Sequence, residues 1–75
     1  MIKKSDIFAL VADALGVSKD LVNEDSTSAD FLEWDSLGQL TILAELDEKF
    51  GDYYEESEEL ASALSIKEIF NALKI

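Results

Sequence analysis

The chain has 75 residues, with no proline, cysteine or histidine, and 17 acidic residues against six basic ones for a net charge of −11. A chain this short buries only about 60% of its unfolded surface and makes one small domain, too small for a two-domain enzyme. Without histidine, a thiolate or an arginine (all six basic residues are lysine) it lacks the usual means of activating a nucleophile, holding a soft metal or forking onto a phosphate. It is therefore not expected to be an enzyme or to bind a metal. Its field repels nucleic acid and anionic membranes, so basic protein surfaces are the expected partners.

At the N-terminus, Lys3 and Lys4 precede the apolar run Ile7 to Ala12. That run is shorter than the roughly 7–15 residues of a secretory h-region. No run approaches the ~20 apolar residues of a membrane span. A soluble, cytoplasmic, monomeric protein is expected.

The first predicted helix runs from Asp6 to Leu15. Ile7, Leu10, Val11, Ala14 and Leu15 fall on one apolar stripe, and Gly16 is the stop. From Val17 to Trp34 no period survives, and the stretch reads as an ordered loop anchored by Leu21, Val22, Phe31 and Leu32. The second helix is expected from Ser36 to Phe50, with Asp35 and Ser36 both able to cap it. Ser36-Leu37-Gly38-Gln39 matches the capping-box pattern, and Gly51 and Asp52 close the helix. A short third helix is expected within Glu55 to Ala63. Ser65-Ile66-Lys67-Glu68 is a second capping box, opening a last helix with Ile66, Ile69, Phe70 and Leu73 on one face. The predicted fold is all-α, a bundle of three main helices plus one short helix, filling residues 1–75 as a single domain.

The second helix carries apolar residues on two faces. At 100° per residue, Ile42, Leu43, Leu46 and Phe50 share one side, which reads as core. Leu37, Leu40 and Ala44 share the other, with Thr41 and Glu48 beside them and Asp47 at the rim. That second face is either a docking patch or a seat for the long loop. Between Asp20 and Glu59 stand fourteen acidic residues and one lysine, Lys49. Acid beside leucine suits a steered interaction surface. Self-repulsion at this charge density works against the compact state, so the melting temperature should rise from low to moderate salt; a melt unmoved by salt counts against it.

Two chemical readings of the acids and of Ser36 fail. Asp25 to Ser36 has the length of an EF-hand loop, but position six is Asp30 and position twelve is Ser36, where glycine and glutamate are needed. Ser36 as a catalytic nucleophile has no histidine base. Ser36 as a helix cap is the plain alternative.

Phe31-Leu32-Glu33-Trp34-Asp35-Ser36-Leu37, followed by Leu40, Leu43, Leu46 and Phe50 at this length and charge, resembles the acyl carrier protein family along essentially the whole chain. The resemblance implies that Ser36 is the attachment point of 4′-phosphopantetheine, added from coenzyme A by a separate Mg²⁺-dependent phosphopantetheinyl transferase. It implies acyl cargo held as a thioester on that arm, with no catalytic residue in the carrier. Asp35, Leu37, Leu40, Ala44, Asp47 and Glu48 would form the recognition face for the transferase and for acyl-transferring, synthase or ligase enzymes with basic docking patches. Carriers of this family can hold an acyl chain between helices, which implies that the core opens. Glu33, Trp34, Thr41 and Ala44 depart from the fatty-acid-type pattern, and Trp-Asp-Ser-Leu is more similar to carriers of specialised pathways. The cargo class stays open among fatty, hydroxyacyl, polyketide and aminoacyl groups. An unmodified acidic adaptor, binding a basic partner through Leu37, Leu40 and Ala44, is the reading from a different class.

Overall fold

In the computed structural model, which describes residues 2–50 and 58–75, the chain is all-α. Helix α1 spans Lys4–Leu15, α2 Ser36–Phe50, α3 Glu58–Ala61 and α4 Ile66–Leu73. Short 3₁₀ turns at Lys19–Leu21 and Ser28–Asp30 punctuate the loop between α1 and α2. The expected three main helices and one short one are present. Gly51, Asp52 and residues 55–57 of the predicted third helix lie outside the described residues.

Helix α1 starts at Lys4, two residues before the expected Asp6. The reason is Asp6, whose carboxylate accepts the Lys3 N–H at 2.9 Å and sits in the first turn, where negative charge complements the helix dipole. Its end follows expectation. Gly16 adopts φ 70°, and the Val17 and Gly16 N–H groups close back onto the Ala12 and Asp13 carbonyls at 3.0 and 3.2 Å. At the start of α4, Ser65 Oγ accepts the Glu68 N–H at 3.1 Å. The Glu68 carboxylate returns to the Leu64 N–H at 3.2 Å and the Ser65 hydroxyl at 3.0 Å, one residue outside the pattern of an ideal box.

One core joins the elements. Ile7, Leu10, Val11 and Leu15 of α1 meet Ile42 and Leu46 of α2, Leu60 of α3, and Ile66, Ile69, Phe70 and Leu73 of α4. Each fully buried Ile or Leu contributes about 1.5–3 kcal/mol. The Phe8 and Phe70 rings meet edge-on at 5.7 Å, and Lys4 Nζ lies 5.2 Å from the Phe70 centroid, covering the open side of the α1–α4 contact. On α2 the buried stripe is narrower than predicted. Gly38, Ile42 and Leu46 are enclosed at four-residue steps, while Leu43 and Phe50 are half-buried at the margin of the core.

One acid is drawn into the α1–α2 contact. Glu45, its side chain only 15% exposed, lies against Asp13 and pairs with Lys49 at 3.7 Å. Burial raises its pKa above the ordinary 4.5, the hydrogen bond and charge of Asp13 raise it further, and Lys49 offsets part of the rise. The folded state therefore holds this proton more tightly than the unfolded state does. The resulting stability is full below pH 4.5 and is lost as pH rises through the folded value. Glu45→Gln is expected to remove this slope and to be more stable than the parent at pH ~7. Urea midpoints across the acid range check it, and an unchanged slope would refute it.

Candidate functional site

The site grows from the N-terminus of α2. Asp35 Oδ1 accepts the Gly38 N–H at 2.9 Å, and the Asp35 carbonyl accepts the Gln39 N–H at 2.9 Å, so Asp35 is the cap. Ser36 becomes the first helical residue. Its side chain is exposed, and its hydroxyl and N–H and the Leu37 N–H have no partner among the described residues. The expected Ser36–Gln39 box does not form. A carboxylate is the stronger, charge-assisted acceptor, and it stands one residue earlier, where the backbone has not yet turned helical.

Gln39 is used elsewhere. Its Oε1 accepts the Trp34 Nε1–H at 2.7 Å, and its Nε2 donates to the carbonyls of Ala61 at 3.1 Å and Leu60 at 3.4 Å. One side chain thus ties the end of the loop, the first turn of α2 and the C-terminal end of α3. Trp34 itself is 4% exposed, and its indole N–H needs this acceptor. Gln39→Leu keeps the volume but strands that buried N–H and unties α2 from the Ala61 carbonyl. A loss of roughly 1–2 kcal/mol is expected, with a shift in the emission of the chain's only tryptophan. Unchanged emission and midpoint would show that the link carries no energy.

Two of the loop's predicted anchors are not anchors. Val22 and Trp34 are buried and Phe31 is half-buried, whereas Leu21 is 59% and Leu32 96% exposed. The Ser26 hydroxyl, buried, accepts the Asn23 N–H at 2.9 Å, and Asp30 accepts the Thr27 N–H at 2.8 Å. Two backbone bonds dock the loop on the start of α4. The Ser28 N–H donates to the Leu64 carbonyl at 2.8 Å, and the Ile66 N–H donates to the Ser26 carbonyl at 3.0 Å. The loop does not sit on the second face of α2. Leu37 is 73% and Leu40 62% exposed, and Asp35, Ala44 and Glu48 are exposed beside them, with Asp47 half-buried.

Beside Ser36 the loop, α2 and α3 enclose an open groove of 610 Å³. Its walls are Trp34, Leu40, Leu43, Ala61 and Leu64, with Ser28, Asp35, Ser36 and Gln39 along it. The amide of Gln39 is fully engaged, so the groove offers an apolar slot with hydroxyls at Ser28 and Ser36. Of its walls, Trp34 alone belongs to the buried core, while Leu40 and Leu64 are exposed. Sequence reasoning missed Gln39, Leu64 and the role of Trp34 here. The usable signal was a tryptophan at the end of a polar loop, five residues from an amide able to take its N–H.

Comparison with known proteins adds no assignment: no family model matches the chain, and no solved structure matches it. Among the described residues no helix is long and apolar enough to cross a membrane, and no group of three or more acids gathers to hold a metal ion.

Proposed function

We propose that the protein is an acyl carrier, modified at Ser36 with 4′-phosphopantetheine, and not itself an enzyme. The observation that carries this reading is Ser36: exposed, free of capping duty, and placed between an apolar groove and an acid-rimmed leucine face. The residues present fit the group. A hydroxyl without a hydrogen bond is available for a phosphodiester, and the unpaired N–H groups of Ser36 and Leu37 lie at the positive end of the helix dipole. When bound, the arm supplies a thiol on which an acyl group is carried as a thioester.

The chain's own residues supply the rest. Asp35 fixes the first turn of α2 and leaves Ser36 presented to a transferase. Leu37, Leu40 and Ala44, with Asp47 and Glu48, offer a small apolar patch in a negative field, suited to brief, fast encounters with basic docking patches on acyl-handling enzymes. The groove walls Leu40, Leu43 and Leu64 offer an apolar cargo shelter without disturbing Ile42 or Leu46. In this respect the reading departs from a carrier whose core must open.

The test is intact mass after incubation with coenzyme A, Mg²⁺ and a broad-specificity phosphopantetheinyl transferase, with Ser36→Ala alongside. Gain of one phosphopantetheine by the parent and none by the variant is the expected result. Folded protein that gains nothing from two different transferases would refute the carrier, leaving the exposed leucine face as that of an unmodified adaptor.

A further inference from the structure

A second groove lies on the other side of the segment that leads into Ser36. Phe31 and Glu33 line it, whereas Trp34, Asp35 and Ser36 line the first, so residues 31–36 form a ridge between the two. This second groove has a volume of 490 Å³ and is lined by the apolar Val17, Leu21 and Phe31, the acids Asp25, Asp30 and Glu33, and the polar Asn23 and Ser26. Leu32, on the ridge itself, is 96% exposed, and Leu21 is 59% exposed.

We propose that this loop groove is a second protein-docking surface, whose occupant is a basic segment of a partner carrying an apolar side chain between lysines or arginines. Charge selects the occupant. A second copy of this chain brings another net charge of −11, and nucleic acid and anionic lipid are repelled in the same way. Within the chain, Asp25 is paired with Lys67 at 3.1 Å, but Asp30 and Glu33 have no lysine partner among the described residues. Two carboxylates beside an open apolar slot suit a cation flanking an aliphatic anchor.

Hydrogen bonding within the loop supports the case. The groove walls are held by the Asn23–Ser26 and Thr27–Asp30 hydrogen bonds and by the two backbone bonds to Leu64 and Ile66. Leu21 and Leu32 thus flank a hydrogen-bonded stretch of the loop. This surface is distinct from the Leu37–Leu40 face of α2, and its existence does not depend on modification of Ser36.

The experiment is an amide chemical-shift titration of the full chain with a short synthetic Lys–Leu peptide and with a Lys–Ser peptide of equal charge. The Lys–Leu peptide is expected to move the amides of Leu21, Phe31, Leu32 and Glu33, and to bind about tenfold more tightly there than the Lys–Ser peptide, the equivalent of about 1.4 kcal/mol. Leu21→Asp and, independently, Glu33→Lys, both at exposed positions, are each expected to weaken that binding severalfold. Leu40→Asp is expected to leave it intact. The proposal is overturned if these four amides do not move, or if both peptides move them equally and Leu21→Asp changes nothing.

Discussion

Ser36→Ala is expected, on the proposed carrier reading, to abolish phosphopantetheine transfer while leaving the fold as stable as before, or slightly more so. The two halves of that result rest on different residues. Transfer needs the Ser36 hydroxyl, and nothing nearby can substitute, because the other side-chain hydroxyl lining the groove, Ser28, sits in the loop. Stability needs the cap, and the cap is Asp35 Oδ1 on the Gly38 N–H. At the first helical position alanine exceeds serine in helix propensity by a few tenths of a kcal/mol, so the sign of the change favours the variant. Asp35→Ala is the mirror experiment. It is expected to cost about 1 kcal/mol, some 4–8 °C in the melting temperature of a domain this size, while keeping the Ser36 hydroxyl available. If Ser36→Ala showed the capping loss and Asp35→Ala did not, the assignment of the cap would be wrong.

Gly38→Ala is expected to destabilise the protein by about 2 kcal/mol and to displace Trp34, even though alanine is the better helix former. A Cβ at Gly38 runs into the backbone carbonyl oxygen of Glu33 and presses on the Leu15 side chain. A flexible side chain could step aside at little cost, but a carbonyl moves only with its peptide. That peptide belongs to the ridge carrying Glu33, Trp34 and Asp35 into the helix. Relief therefore pulls on the Trp34–Gln39 bond and on the cap together. The propensity gain of at most ~1 kcal/mol is the smaller effect. Tryptophan emission and the urea midpoint, measured together, check the prediction. A more stable variant with unchanged emission would show that the ridge yields freely.

These two substitutions bear on the same design. The first turn of α2 is held from three directions, by Asp35 at its start, by Gly38 against the Glu33 carbonyl, and by Gln39 reaching to Trp34 and α3. Ser36 sits in the middle of this frame and takes part in none of it. On the proposed carrier reading, a group attached there would break none of these contacts.

Much of this was legible in the order of the residues. The stripes of α1 and α4, the Gly16 stop and the Ser65 cap are local patterns, and each depends on residues within about a turn of one another. The same holds for the two faces of α2, since Leu37 and Leu40 are set opposite Ile42 and Leu46 by helical geometry itself. Composition says only which side chains are present, and the absence of histidine and cysteine and the net charge of −11 set expectations about chemistry and partners rather than findings.

What a linear pattern could not decide was which of two equivalent local choices the rest of the molecule would take. Asp35 and Ser36 could each cap α2, and the outcome followed from where the ridge delivers the backbone. Leu21, Val22, Phe31 and Leu32 all looked fit to anchor the loop. Only Val22 is fully buried, because the bonds from Ser26 and Ser28 to Ile66 and Leu64 set the loop on α4 and turn Leu21 and Leu32 outward. Gln39 finds its partners at positions 34, 60 and 61, and the groove beside Ser36 exists only once those segments converge. Helical periodicity fixes the direction of a side chain relative to its own axis. Contacts between residues twenty or more positions apart are fixed by how the axes and the loop pack, and it is packing that made Ser36 free, its groove apolar and its neighbouring leucines exposed.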